Sequence, residues 1–285
     1  MILSDLCLSA FLCVQFGSWL RLCGVKFIQQ DDRFPVNILR RETELFKEDF
    51  PRGGGSETVD PQRFPRAARV FLPPLGGGGL DREAGPDPGG QDHGSRRHRS
   101  GQWASADVVV AICYLDWTKP RVQELDAFLA RGGGFVVVHA ATWTRPEPSP
   151  QLAELTGVGG FTRWREGPLE LELNPEHPIC RGLPAKIRLV DEAYWPPTPA
   201  PAPGTIEVLA ISREADNGGP AVARPLIWTH RRGQGRVFGC VPGHYNWTLD
   251  DPLYRLLLLR GIAWSAGESP YRFDLLALER ARVAP

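Results

Sequence analysis

Residues 132–141 read Gly-Gly-Gly-Phe-Val-Val-Val-His-Ala-Ala. The glycines stop any helix that precedes them, and Phe135 to Val138 is an unbroken apolar, mostly β-branched run that ends at the imidazole of His139. A strand covered on both faces reads this way. Upstream, Pro120 to Arg131 predicts a helix, with Pro120 in its first turn and Val122, Leu125, Phe128 and Leu129 on one side. Before that helix, Asp107-Val-Val-Val-Ala-Ile-Cys113 is a second buried strand. Strand–helix–strand order with valine-rich strands predicts an α/β fold, a doubly wound and mostly parallel sheet with right-handed crossovers.

The pattern continues downstream. Ser149-Pro150 opens a short helix closed by Gly157, and Leu169, Leu171 and Leu173 alternate with Glu170 and Glu172 in an edge or antiparallel strand. Ile206–Ile211, Leu226–Thr229 and Arg236–Val241 are further strands. Gly233 and Gly235 mark a hairpin after His230. Asp251 caps a helix that has Pro252 at its first position and runs to Gly267. Pro196 to Pro203, rich in proline, reads as a stiff surface loop or a lid edge.

The chain has 285 residues, with 33 basic and 33 acidic. A formal charge of zero argues against a nucleic-acid partner. No apolar stretch reaches the ~18 residues of a membrane helix, so no integral membrane segment is expected. The six cysteines (Cys7, Cys13, Cys23, Cys113, Cys180 and Cys240) show neither CxxC spacing nor the density of a disulfide scaffold. The apolar first 24 residues have no Lys or Arg before Arg21, which favours a cytoplasmic protein over an exported form.

Residues 53–101 differ in kind. Gly and Pro fill 18 of these 49 positions, above the ~25–30% at which aperiodic sequence reads as low-complexity. Gly76–Gly79 lacks the Lys and Ser/Thr of a phosphate-binding loop, so a linker is expected. Only Arg69 to Leu72 offers a strand, and the glycines after it exclude a helix. The organisation predicted is an irregular region over 1–104, an α/β domain over 105–270 and a helical tail over 271–285.

Ligands of such sheets bind beyond the carboxyl ends of the strands. That rule selects Tyr114, Asp116 and Trp117, then His139 and Thr142, His230, and finally His244, Asn246 and Trp247.

Residues 107–267 resemble the ThuA-like, or trehalose-utilisation, family. The resemblance rests on Asp107-Val-Val-Val with Leu115-Asp116-Trp117, on residues 132–141, and on Pro175-Glu-His-Pro-Ile179 with Gly182-Leu-Pro184. It continues through Asp191-Glu192-Ala-Tyr194, Arg232-Gly-Gln-Gly-Arg-Val-Phe238, Gly243-His244 and the helix Arg255–Trp264. It implies a flavodoxin-like sheet related to class I glutamine amidotransferases, a role in carbohydrate metabolism and a homodimer. It also implies a strand, a helix and a second strand before Asp107, and with no helix after Arg69–Leu72 the sheet is expected to lack a strand. Amidotransferases place a nucleophilic Cys on the turn where this chain has His139-Ala-Ala, and pair it with a His that His244 would match. Cys113 and Cys240 lie within strands, where thiols are inert. Without a nucleophile, acyl-enzyme glutamine hydrolysis has no starting point.

His139, His244 and Glu192 are therefore the expected catalytic residues. Asp116, Trp117, Asp191, Tyr194 and Trp247 are the expected substrate-binding residues. Imidazoles beside carboxylates suit proton transfer at a sugar hydroxyl or next to a keto carbon, and equally a divalent Zn or Mn ion. Tryptophans near loops can stack on pyranose faces. Two readings follow: an enzyme acting on a sugar or keto-sugar, or a noncatalytic carbohydrate- or partner-binding domain with an amidotransferase-like fold.

Overall fold

The computed structural model describes residues 26–28, 69–71, 103, 106–112, 114–115, 117–216 and 218–274. The two valine-rich runs are strands buried along their whole length, β3 (Val108–Ala111) and β4 (Gly134–Val138). From residue 108 on, five more follow: β5 (Phe161–Leu173), β6 (Lys186–Pro197), β7 (Glu207–Ala215), β8 (Ala221–Arg232) and β9 (Gly235–Cys240). Two three-residue strands, β1 (Lys26–Ile28) and β2 (Arg69–Phe71), extend the edge beside β3. The helices are α1 (Lys119–Ala130), α2 (Pro150–Thr156), α3 (Asn246–Asp250) and α4 (Pro252–Ser265). No helix among the described residues is long and apolar enough to cross a membrane.

The sheet order is β1-β2-β3-β4-β9-β8-β7-β5-β6. Pairings from β1 through β4 to β9 are parallel, and those from β9 out to β6 are antiparallel. The expectation of a mostly parallel sheet is thus corrected to a mixed one. The reason is local: β8 turns straight back into β9 through the Gly233 hairpin, and β5 alternates wet and dry faces along most of its length. β1 and β2 also correct the missing-strand expectation. Lys26-Phe-Ile28 is too short to show any period in the sequence, and β2 pairs on both its edges.

Helices cover both faces of the parallel half. A Cβ on Gly133 would meet the Phe128 ring of α1, and one on the next residue, Gly134, would lie 2.3 Å from the Ser265 carbonyl oxygen at the end of α4. On β9 the same alternation holds, with Gly235 against Leu129 of α1 and Phe238 against Gly261 of α4. These faces bury Val108–Val110 and Phe135–Val138, each worth roughly 1.5–3 kcal/mol when fully removed from water. The caps agree with the sequence. Asp251 accepts from the N–H groups of Leu253 and Tyr254, and Ser149 from that of Leu152.

β6 has no counterpart in the sequence reading, because its charges and prolines mask the alternation of Ile187, Leu189 and Ala193. Pro196 and Pro197 belong to it rather than to a surface loop, and Pro197 pairs with Phe161. Proline is tolerated because β6 is the outermost strand. β5 and β6 form a long ribbon whose ladder pairing with β7 is at Glu172 and Leu173, next to a register shift at Val208–Ile211. In a flat sheet β6 would stand about 24 Å from β4, five spacings of ~4.8 Å. Instead Tyr194 of β6 reaches His139 at the end of β4. The sheet curls, and the ribbon closes over the carboxyl ends of β4 and β9.

Candidate functional site

The site begins where β4 stops. His139 has φ 50, the left-handed region, and opens a 3₁₀ turn over His139–Thr142. That turn is held by a 2.6 Å bond from the Thr142 hydroxyl to the His139 carbonyl. Histidine tolerates this conformation better than bulky residues do, yet it is uncommon and sits at the strand end where chemistry is expected. The Nδ1–H of His139 donates to the Val241 carbonyl at 3.2 Å, because a carbonyl can only accept. Nε2 is then an acceptor, and Nδ1–H of His244 donates to it at 3.0 Å.

His244 follows β9 through Val241-Pro242-Gly243. Gly243 has φ 132, and a Cβ there would press to 3.0 Å from Val138, so glycine is required. Asp191 locks this loop. It is fully buried, and its Oδ1 accepts the backbone N–H groups of Glu192, Gly243 and His244 at 2.7, 3.1 and 3.1 Å. Its Oδ2 accepts the Thr248 hydroxyl. With its lone pairs taken, Asp191 holds His244 in place from behind.

Glu192 completes the group. Its Oε2 lies 3.7 Å from His139 Nε2, its Oε1 lies 3.6 Å from His244 Nδ1, and Oε2 accepts the Tyr194 hydroxyl at 2.8 Å. One ligand atom from each of His139, Glu192 and His244 lies within 4.8 Å of the others. Burial, then repulsion from His244, push the His139 pKa down to about 3, while the Val241 bond works the other way. Burial raises that of Glu192, against the Tyr194 bond and the pull of His244. His139 is therefore a neutral ring at ordinary pH, and Glu192 keeps its proton more readily than a solvated carboxylate. Tyr194 is pushed far up by burial and by Glu192, so it acts only as a hydrogen-bonding phenol.

Of the other expected residues, Trp247 is exposed, with its indole N–H on the Val190 carbonyl at 2.8 Å. Trp117 packs edge-on against Phe135 of the core. Asp116 and Cys113 lie outside the described residues, as do the Gly76–Gly79 run and the tail beyond Asp274. Cys240 is buried, and burial pushes its thiol up to about 12, which keeps it protonated. His177 serves its turn, accepting from the Ile179 N–H at 3.2 Å.

Sequence reasoning missed Tyr245 and Glu166. Tyr245 lies edge-on to His244 at 4.4 Å between ring centroids, and its hydroxyl donates to Glu166. The aromatic run after Gly243 could have signalled Tyr245. Nothing local could have signalled Glu166, which is beside the site only because β5 pairs with β6.

The family model for trehalose utilisation, ThuA, matches residues 98–265. The chain belongs to the ThuA family. Among solved structures, a ThuA-like protein from Bacteroides uniformis is 23% identical, covering 58% of this chain and 73% of its own, with a TM-score of 0.47. A ThuA-like protein from Parabacteroides merdae is 20% identical over 86% of this chain and 90% of its own, with a TM-score of 0.48. A β-galactosidase from Bacillus circulans sp. alkalophilus is 18% identical over 59% and 24% of the two chains, with a TM-score of 0.39. No curated protein matches the sequence.

Proposed function

We propose that this ThuA-family chain is an enzyme of carbohydrate metabolism that acts on a sugar or keto-sugar through His139, Glu192 and His244. The observation that carries the reading is the convergence of two imidazoles and one carboxylate within 4.8 Å at the carboxyl ends of β4 and β9. We read the parallel half as flavodoxin-like, in which that end is the ligand-binding end.

The three groups have separable roles. His244 is the most open, its side chain 30% exposed against 10% for His139 and 12% for Glu192, so it meets the substrate. Glu192 sits within reach of His244 Nδ1 and can pass or take a proton there, near a sugar hydroxyl or the carbon beside a keto group. His139, neutral and fixed by Val241, accepts from His244 and sets its orientation. Tyr194 holds one oxygen of Glu192 and leaves the other facing His244.

The same donor set fits a divalent cation such as Zn or Mn. Nδ1–H of His139 is spent on a carbonyl, the outer bond that orients metal-binding histidines, so its Nε2 lone pair, which here accepts from His244, would turn to the ion. His244 and Glu192 would supply the other two ligands. Such an ion would act as a Lewis acid toward a sugar oxygen.

Metal analysis and melting of the purified protein with a panel of sugars and keto-sugars, with and without chelator, test this reading. A ligand at 100 times its Kd adds about 2.7 kcal/mol of stability. Turnover of a panel member should fall ~10²-fold or more in Glu192→Gln and His244→Ala. A sugar-induced shift unchanged by both substitutions, with no turnover, would leave a noncatalytic binding domain instead. Loss of the shift on chelation would assign the cation.

A further inference from the structure

We propose that Arg145, held over the ring of Tyr114, binds a carboxylate at the rim of the His139–Glu192–His244 group, so that the substrate is an acidic sugar rather than a neutral one. The inference deepens the sugar reading of that group and rests on it.

Two loops place the pair. Tyr114 follows β3, and Arg145 follows the 3₁₀ turn that starts at His139, so both leave the sheet at the end that carries the imidazoles. In the sheet order β3 and β9 flank β4, so Tyr114 approaches His139 from one side as His244 does from the other. Tyr194 ties the pair to the reactive group. Its hydroxyl donates to Glu192 at 2.8 Å and lies 3.2 Å from His139. Its ring meets that of Trp143, two residues before Arg145, edge-on at 5.0 Å between centroids. Burial, Glu192 and then Tyr114 keep the Tyr194 phenol protonated, which puts Tyr114 within electrostatic reach of it.

The guanidinium carbon of Arg145 lies 3.9 Å from the centroid of the Tyr114 ring. Stacking occupies the flat face of a guanidinium and leaves its in-plane N–H groups outward, the fork that matches a carboxylate with two parallel hydrogen bonds. Both side chains are open to solvent, Tyr114 at 44%. Among the described residues no carboxylate pairs with Arg145, whereas Arg163, Arg165, Arg188, Arg213 and Arg224 on β5 to β8 each have one. A fork already fixed on a ring loses less freedom when it binds. One guanidinium balances one negative charge, which favours a carboxylate over a doubly charged phosphate. It also offsets the repulsion that an ionised Glu192 would exert on an acidic substrate.

Calorimetric titration at neutral pH with matched pairs, glucose with glucuronate, galactose with galacturonate and mannose with mannuronate, tests the assignment. The wild-type chain should bind the acid of at least one pair about tenfold more tightly than its neutral partner, the worth of a charge-assisted hydrogen bond. Arg145→Gln should bring that ratio to within about threefold of one. Arg145→Lys keeps the charge but loses the fork, and should recover only part of the preference. Arg145 is exposed, and a cooperative melt verifies the folding of each variant. A preference for the acid that survives Arg145→Gln, or sugars bound by the wild type without preference, overturns the assignment and leaves the sugar reading intact. An equal or greater gain from glucose 6-phosphate over glucose assigns the rim to phosphate and overturns the carboxylate. No binding of any panel member overturns both readings.

Discussion

At the scale of single residues, His139 couples the site to stability. Its folded pKa of about 3 lies below the ordinary 6.5, so between those values the unfolded chain takes up a proton that the folded chain refuses. Stability is then full above pH 6.5 and falls as pH drops, by at most about 1.4 kcal/mol per unit. Glu192 has the opposite sign, since its raised pKa favours the folded state at low pH and that gain is lost as pH rises. In chelator-treated protein the urea midpoint should fall from pH 6.5 to about 5. His139→Asn, a residue that accepts the left-handed backbone, should flatten that slope, and Glu192→Gln should steepen it. An unchanged slope in His139→Asn would show that the ring titrates normally in the folded chain.

Among the elements, the buried strands and the capped helices were legible because each follows one local rule. Six valines and a phenylalanine in β3 and β4 read as two-sided burial, and Asp251-Pro252 as a helix start. β6 was not legible. Its buried residues include Asp191 and Glu192; Asp191 is held by partners from the loop after β9 and from α3, and Glu192 lies beside His139 and His244, none of which a local pattern records. The close packing of elements is testable at Gly134. An Ala there would put its Cβ 2.3 Å from the Ser265 backbone oxygen, an atom that cannot rotate away. Gly134→Ala should destabilise by about 1–3 kcal/mol, lowering Tm by several degrees. A melt within 1 °C of wild type, about the noise of such a measurement, would mean that α4 does not sit on β4 as described.

On the scale of the molecule, Arg260 ties three distant segments together. From α4 it donates to the carbonyls of Ile179 and Arg181 at 3.1 and 2.7 Å, and grips Asp274 through two bonds of 3.0 and 2.7 Å. Only a planar guanidinium can serve all four acceptors. Arg260→Ala should cost about 3 kcal/mol in urea unfolding, and Arg260→Lys should recover little of it. Full recovery by lysine would reduce the latch to a simple charge pair.

The sequence by itself determined the α/β class, the strand ends that carry His139 and His244, and the family. Those features depend on residues close along the chain, where burial and capping leave periodic marks. Glu192, Asp191 and Tyr194 could be named only through the family resemblance, and their roles could not be told apart. The tertiary structure decided the rest. The ribbon curl brings β6 across five strand positions onto β4, which makes Glu192 a partner of both imidazoles and turns Asp191 into a buried clamp. It also makes Glu166 a neighbour of the site. Contacts made by strand pairing and sheet curvature span dozens of residues, and no local pattern records them.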